Sequence, residues 1–136
     1  FEGYKKSYYS QNAFDSDDER RFSVILEEDD AVLRFIKPPL NQLGLFYKAG
    51  KQYNPDFIVE TDDAKYVIEI KAANRTEDID VLDKAKSAIQ WCSCATDVDT
   101  DHKPWYFKLI PGQEIIIGNT FKYMIGKAVP IRTEED

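Results

Sequence analysis

The chain has 136 residues, a length that supports one domain with a proper core and not two. With 43% apolar and 13% aromatic residues its composition is globular, and no apolar run approaches the ~20 residues that a membrane span needs. A formal charge of −7 argues against tight, charge-driven nucleic-acid binding by this chain alone, because phosphate affinity comes chiefly from Lys and Arg.

In chain order, the first clear element is a helix over "FDSDDERRFSVILEEDD". Asp15 or Ser16 can cap it, acids fill its first turn, and Phe22, Ile25 and Leu26 form an apolar stripe that runs out near Asp29 or Asp30. "AVLRFIKPP" reads as a short strand stopped by Pro38 and Pro39, since proline cannot donate to a central ladder. In "LGLFYKAGKQYNPDFIVET" two apolar runs flank the turn-like Ala49 and Gly50, which predicts a hairpin. After the polar turn Thr61 to Asp63, "AKYVIEIKA" extends the meander by one strand.

From Thr76 the pattern turns helical: Thr76 as the cap, Glu77 and Asp78 at the positive end, and Val81, Ala85, Ala88, Ile89 and Cys92 along one buried face. The polar loop "TDVDTDHKP" leads to a strand, "WYFKLIP", and then to a final helix from Asn119 or Thr120 to about Ala128. No internal repeat or low-complexity segment interrupts this order. It describes an α/β layer whose mixed central sheet is flanked by helices.

Several chemistries drop out. Cys92 and Cys94 sit one residue apart on a predicted helix, about 200° apart around its axis, so they cannot easily bond to each other. With only those two and the single His102 there is no soft-ligand set for structural zinc and no Cys/His nucleophile pair. "IPGQEIIIGNT" has two glycines but no Gly-Lys-Ser/Thr, hence no phosphate loop. Tyr8, Tyr9, Tyr53, Trp91 and Trp105 can stack on unpaired bases, although aromatics on strands and helices mostly serve the core. His102, in an acidic loop, is expected at the surface.

One constellation carries chemistry. Asp56 would begin one strand of the meander while Glu69 and Lys71 lie near the end of the next, and antiparallel neighbours bring a strand's start beside its partner's end. Strand residues two apart share a face, so Glu69 and Lys71 project together and Ile68 and Ile70 go to the opposite side. Two carboxylates and the Ile70 backbone carbonyl make a hard oxygen set suited to Mg²⁺, with Lys71 beside it to hold or help deprotonate an attacking water. The same residues also admit a bland reading: Asp56 in an ordinary turn after Pro55, with Glu69 and Lys71 on the solvent face of an edge strand.

"NPD", twelve residues and then "EIK", set within "LFYKAGKQYNPDFIVE…YVIEIKA…DKAKSAIQWC…WYFKLIP", resembles the PD-(D/E)xK nuclease motif. From roughly Phe14 to Phe121 the chain is similar to the C-terminal endonuclease domain of the restriction subunit of type III restriction enzymes. The resemblance implies a restriction-endonuclease-like core, Mg²⁺ bound by Asp56 and Glu69 with Mn²⁺ able to substitute, and Lys71 assisting hydrolysis. The superfamily often adds a glutamate from the first helix, which falls on Glu19; the other role for Glu19 is to stabilise the helix dipole beside Asp17 and Asp18. Lys84, Ser87, Ala88 and Trp91 match the family's next helix, making Lys84, Lys86 and Gln90 candidate phosphate contacts, against the alternative of a solvated helix face.

Residues 1–136 are thus expected to form a single endonuclease domain. The start at Phe1, with neither methionine nor a signal-peptide pattern, predicts a piece cut from a longer polypeptide, and the resemblance implies the C-terminal part of a cytoplasmic bacterial protein. The expected partners are DNA, a translocase or helicase region of the same polypeptide to which any ATP use belongs, and a modification methyltransferase subunit, with no membrane. The alternatives are a repair or recombination nuclease of the same fold and an inactive docking module.

Overall fold

Ser16 starts the first helix as its sequence predicts: its backbone is extended and its Oγ accepts a hydrogen bond from the Glu19 amide at 3.2 Å. α1 (Asp17–Glu28) follows, with Asp17, Asp18 and Glu19 at its positive end and Phe22, Ile25 and Leu26 buried. A computed structural model describes residue 6 and residues 16–38, 45–48 and 50–131. Asp15, Pro39, Ala49, Tyr8, Tyr9 and Phe14 lie outside the described residues.

The strands are β1 (Val32–Ile36), β2 (Phe46–Lys48), β3 (Lys51–Gln52), β4 (Phe57–Thr61), β5 (Lys65–Lys71) and β6 (Trp105–Pro111). α2 (Ile79–Val98) connects β5 to β6, and α3 (Phe121–Gly126) comes last. The main sheet has the order β1-β4-β5-β6, antiparallel as far as β5 and parallel between β5 and β6. The fold is therefore the expected mixed α/β sheet flanked by helices. A parallel pair needs a long crossover, and α2 supplies it.

Two expectations are corrected. A hairpin does turn across Gly50, whose φ of +75° belongs to the left-handed region that glycine adopts freely, with Lys51–Gln52 and not the second apolar run as its second arm. But β2 and β3 make a separate two-stranded sheet instead of joining the meander, and β4 pairs directly with β1. Packing decides this: Phe35 of β1 and Phe57 of β4 share the main core, whereas Leu45 and Tyr53 pack with Ala88 of α2. The second correction concerns the start of α2. Ala73–Arg75 first form a 3₁₀ turn, Thr76 caps its C-terminal end, and Asp78 is the N-cap. The Asp78 carboxylate accepts from Arg75 Nε at 3.0 Å, so α2 begins without a side-chain cap, two residues later than Thr76 implied. Val81, Ala85, Ala88 and Cys92 form the buried face and Ile89 is only half-buried.

The sheet separates two apolar layers. On one face Phe22, Phe57, Ile68, Ile70, Ile110, Phe121 and Met124 meet α1 and α3, with Phe22 and Phe57 edge to face at 5.1 Å. Asp29 ties these helices together, since its Oδ2 accepts from the Phe121 amide at 2.7 Å. On the other face lie Tyr53, Leu45 and Ala88, with Tyr47, Trp91 and Phe107 against them. Alternation of side chains along a strand turns one residue of sequence into a choice of layer.

Cys92 and Cys94 are free thiols, the first buried and the second exposed. Burial pushes the Cys92 thiol up to about 12, so it holds almost no thiolate at pH 8. A disulfide reagent at that pH is expected to titrate Cys94 rapidly and Cys92 on the order of a thousandfold more slowly, until denaturant opens the core. Equal rates for both thiols in the folded chain would contradict this burial. Among the described residues, no helix is long and apolar enough to cross a membrane.

Candidate active site

The β4–β5 ladder ends at the pair Phe57 and Ile68, and Asp56 extends it by one step. Its amide donates to the Ile68 carbonyl at 3.1 Å, and its Oδ2 accepts from the Ile70 amide at 2.8 Å. The aspartate is thereby held by the strand that carries Glu69 and Lys71. Pro55 before it, itself buried, has no amide hydrogen for a ladder, so a side-chain oxygen replaces backbone pairing at this end.

Glu69 points to the α2 face, opposite its neighbours Ile68 and Ile70, and is 5% exposed. Lys71 Nζ stands 3.9 Å from Glu69 Oε1, and the Tyr53 hydroxyl donates to Glu69 Oε2. Burial first, and then the Asp56 charge beside it, holds the Glu69 carboxyl well above its ordinary value. Burial and then Glu69 raise the Tyr53 hydroxyl likewise. The edge-strand reading fails on these facts, because β5 lies between β4 and β6 and Glu69 is enclosed.

Two converging carboxylates, one of them pushed toward its neutral form by burial and then by the charge of the other, are a donor set that a hard divalent cation would relieve. Among the described residues no three His, Cys, Asp or Glu side chains group to hold a metal. The groups here that could hold such an ion are Asp56, Glu69 and a backbone oxygen such as that of Ile70.

The family model of an endonuclease domain matches residues 5–99, a span that holds α1, β1 to β5, the acidic pair and α2. The chain belongs to the endonuclease-domain family. It is a restriction-endonuclease-like nuclease domain, and the candidate catalytic residues fall inside the matched span. No curated protein matches the chain.

The endonuclease domain places the remaining sequence candidates differently. Glu19 is buried, but α1 packs on the face opposite Glu69, and its Oε1 pairs with Lys37 Nζ at 2.6 Å. Among the described residues, no hydrogen bond or ion pair joins Glu19 to Asp56 or Glu69. Lys84 comes closer: its ammonium pairs with Asp80 at 3.3 Å and lies 5.2 Å and 5.8 Å from the Tyr47 and Tyr53 ring centres. Lys86 and Gln90 are exposed on α2. Trp91 packs edge to face on Trp105 at 5.2 Å, a core contact.

Sequence reasoning treated Tyr53 only as a stacking or core residue. A buried tyrosine has to find a partner for its hydroxyl, and one lying three residues before Asp56 has the motif's own polar groups within reach. Lys37 was missed too, because nothing local shows that the first residue after β1 will meet α1.

Proposed function

We propose that this domain is a Mg²⁺-dependent endonuclease hydrolysing DNA phosphodiester bonds, with Mn²⁺ able to replace Mg²⁺. The single observation that supports it most is the convergence of Asp56 and Glu69 on one side of β5 with Lys71 Nζ 3.9 Å from Glu69. Asp56 and Glu69 would hold the ion. When bound, it supplies positive charge that lowers the pKa of water and offsets charge growing on the phosphate. Lys71 then has two tasks available to a cation beside that pair: orienting the attacking water and stabilising the phosphate oxygens. Lys84, lying over two tyrosine rings, is the α2 cation best placed to meet the DNA backbone, with Lys86 and Gln90 as outer contacts.

The wider setting follows the resemblance to type III restriction subunits. We read residues 1–136 as one endonuclease domain of a cytoplasmic bacterial polypeptide, joined to an ATP-dependent translocase or helicase region and working with a modification methyltransferase subunit. The charge of −7 supports a dependent module, since a tethered motor raises the effective concentration of DNA that the domain alone would bind weakly.

Calorimetric titration with Mn²⁺ tests the reading. The parent chain is expected to bind, and Asp56→Asn, which keeps an oxygen to accept from the Ile70 amide, should lose binding without unfolding. Glu19→Gln tests the superfamily's first-helix role: weaker Mn²⁺ binding would support it, and unchanged affinity would leave Glu19 as the partner of Lys37. A parent chain that binds no Mn²⁺ would favour a docking module.

A further inference from the structure

We infer that Tyr53 is a positioning residue of the acidic site, holding the Glu69 carboxylate in a fixed rotamer through its hydroxyl. This rests on the metal-dependent reading above and names a residue that the motif does not contain. The observations are geometric. Tyr53 is 3% exposed, its amide donates to the Leu45 carbonyl at 2.7 Å, and its ring meets Tyr47 edge to face at 6.5 Å. Leu45 and Ala88 enclose it on the α2 side. A phenol fixed at so many points has little freedom, so its hydroxyl defines where Glu69 Oε2 sits. Glu69 Oε1 is left on the side of Lys71.

The contact has a consequence for the site as a whole. Asp56 is positioned by the Ile70 amide, a backbone donor that β5 provides automatically. Glu69 has a longer, more flexible side chain, and the Tyr53 hydroxyl is the donor that fixes it. Partners that orient a ligating carboxylate commonly change metal affinity by roughly 10- to 100-fold when removed. Tyr53 also carries Lys84 over its ring, so one side chain connects the candidate phosphate contact on α2 to the carboxylate on β5.

Mn²⁺ calorimetry on Tyr53→Phe tests this, because the ring and its packing stay while the donor goes. The affinity is expected to fall at least ~10-fold, and the melting temperature in chelator to change little. A measurement that needs no variant of Tyr53 guards against misfolding. In the chain labelled with 3-fluorotyrosine, one resonance should move on saturation with Mg²⁺ and stay in place in labelled Glu69→Gln. Tyr53→Phe binding Mn²⁺ as tightly as the parent, or no tyrosine resonance responding to Mg²⁺, would overturn the inference while leaving the nuclease reading intact. If the parent itself binds no Mn²⁺, both fall together.

Discussion

Lys71→Ala, placed in the proposed motor-linked polypeptide, is expected to slow DNA cleavage by roughly 100- to 1,000-fold, the usual cost of removing one electrostatic contact to a transition state. DNA binding and ATP hydrolysis should remain near parental levels. The expectation follows from position: Lys71 is two residues beyond Glu69 on the same face of β5, with its ammonium 3.9 Å from Oε1. It is 26% exposed at the side chain, so it can reach a substrate without unfolding the strand. Its charge is not needed for ligation, which separates its effect from those of Asp56 and Glu69. Omitting Mg²⁺ should give the same silence by removing a different positive charge. The experiment needs the polypeptide with its motor, since an acidic domain that never holds DNA would be silent for an unrelated reason. Cleavage at the parental rate by Lys71→Ala would reduce the lysine to a strand's outer face and favour the docking module.

Glu69→Gln is expected to abolish Mn²⁺ binding and yet stabilise the metal-free chain at neutral pH. The folded-state value of Glu69 is raised, by burial and then by Asp56, so the fold favours the protonated carboxyl. Below the unfolded value of ~4.3 both states are protonated and the residue costs nothing. As pH climbs from there through the raised folded value, the unfolded state releases its proton more readily and the parent loses stability. Glutamine carries no such penalty, and its amide can donate to Asp56 while its carbonyl accepts from Tyr53. A gain of about 1 kcal/mol, seen as a melting temperature higher by roughly 3–5 °C, is the scale expected near neutrality, and the gap should close in acid. Mn²⁺ should raise the melting temperature of the parent and not that of the variant, because only a state that binds ligand is stabilised by it. A variant that melts below the parent at every pH would show that the negative charge on Glu69 supports the fold.

The burial of Glu69 marks where local rules fail. Elsewhere the chain is locally consistent, as in the cap at Ser16, the stripe Phe22, Ile25 and Leu26, and the glycine at the β2–β3 turn. A buried glutamate at the centre of a sheet breaks the pattern of an apolar strand interior. Sites that carry chemistry are where that conflict is tolerated.

The sequence by itself determined the elements and the motif. Capping residues, apolar periodicity and prolines act within a few residues of their position, so α1, β1, β4, β5, α2 and β6 were legible close to their observed bounds. The nearness of Asp56, Glu69 and Lys71 was legible as one of two readings of strand alternation and antiparallel pairing, and the resemblance to the nuclease motif favoured it over the bland one. The tertiary structure decided what spacing cannot encode. It moved β2 and β3 out of the main sheet onto α2, gave Lys37 to Glu19, and brought the Tyr53 hydroxyl to Glu69. It also delayed α2, since Asp78 turned to Arg75 instead of capping. Each of these depends on which layer a side chain enters and which partner is already there, and that is settled only when the two apolar faces of the sheet are covered.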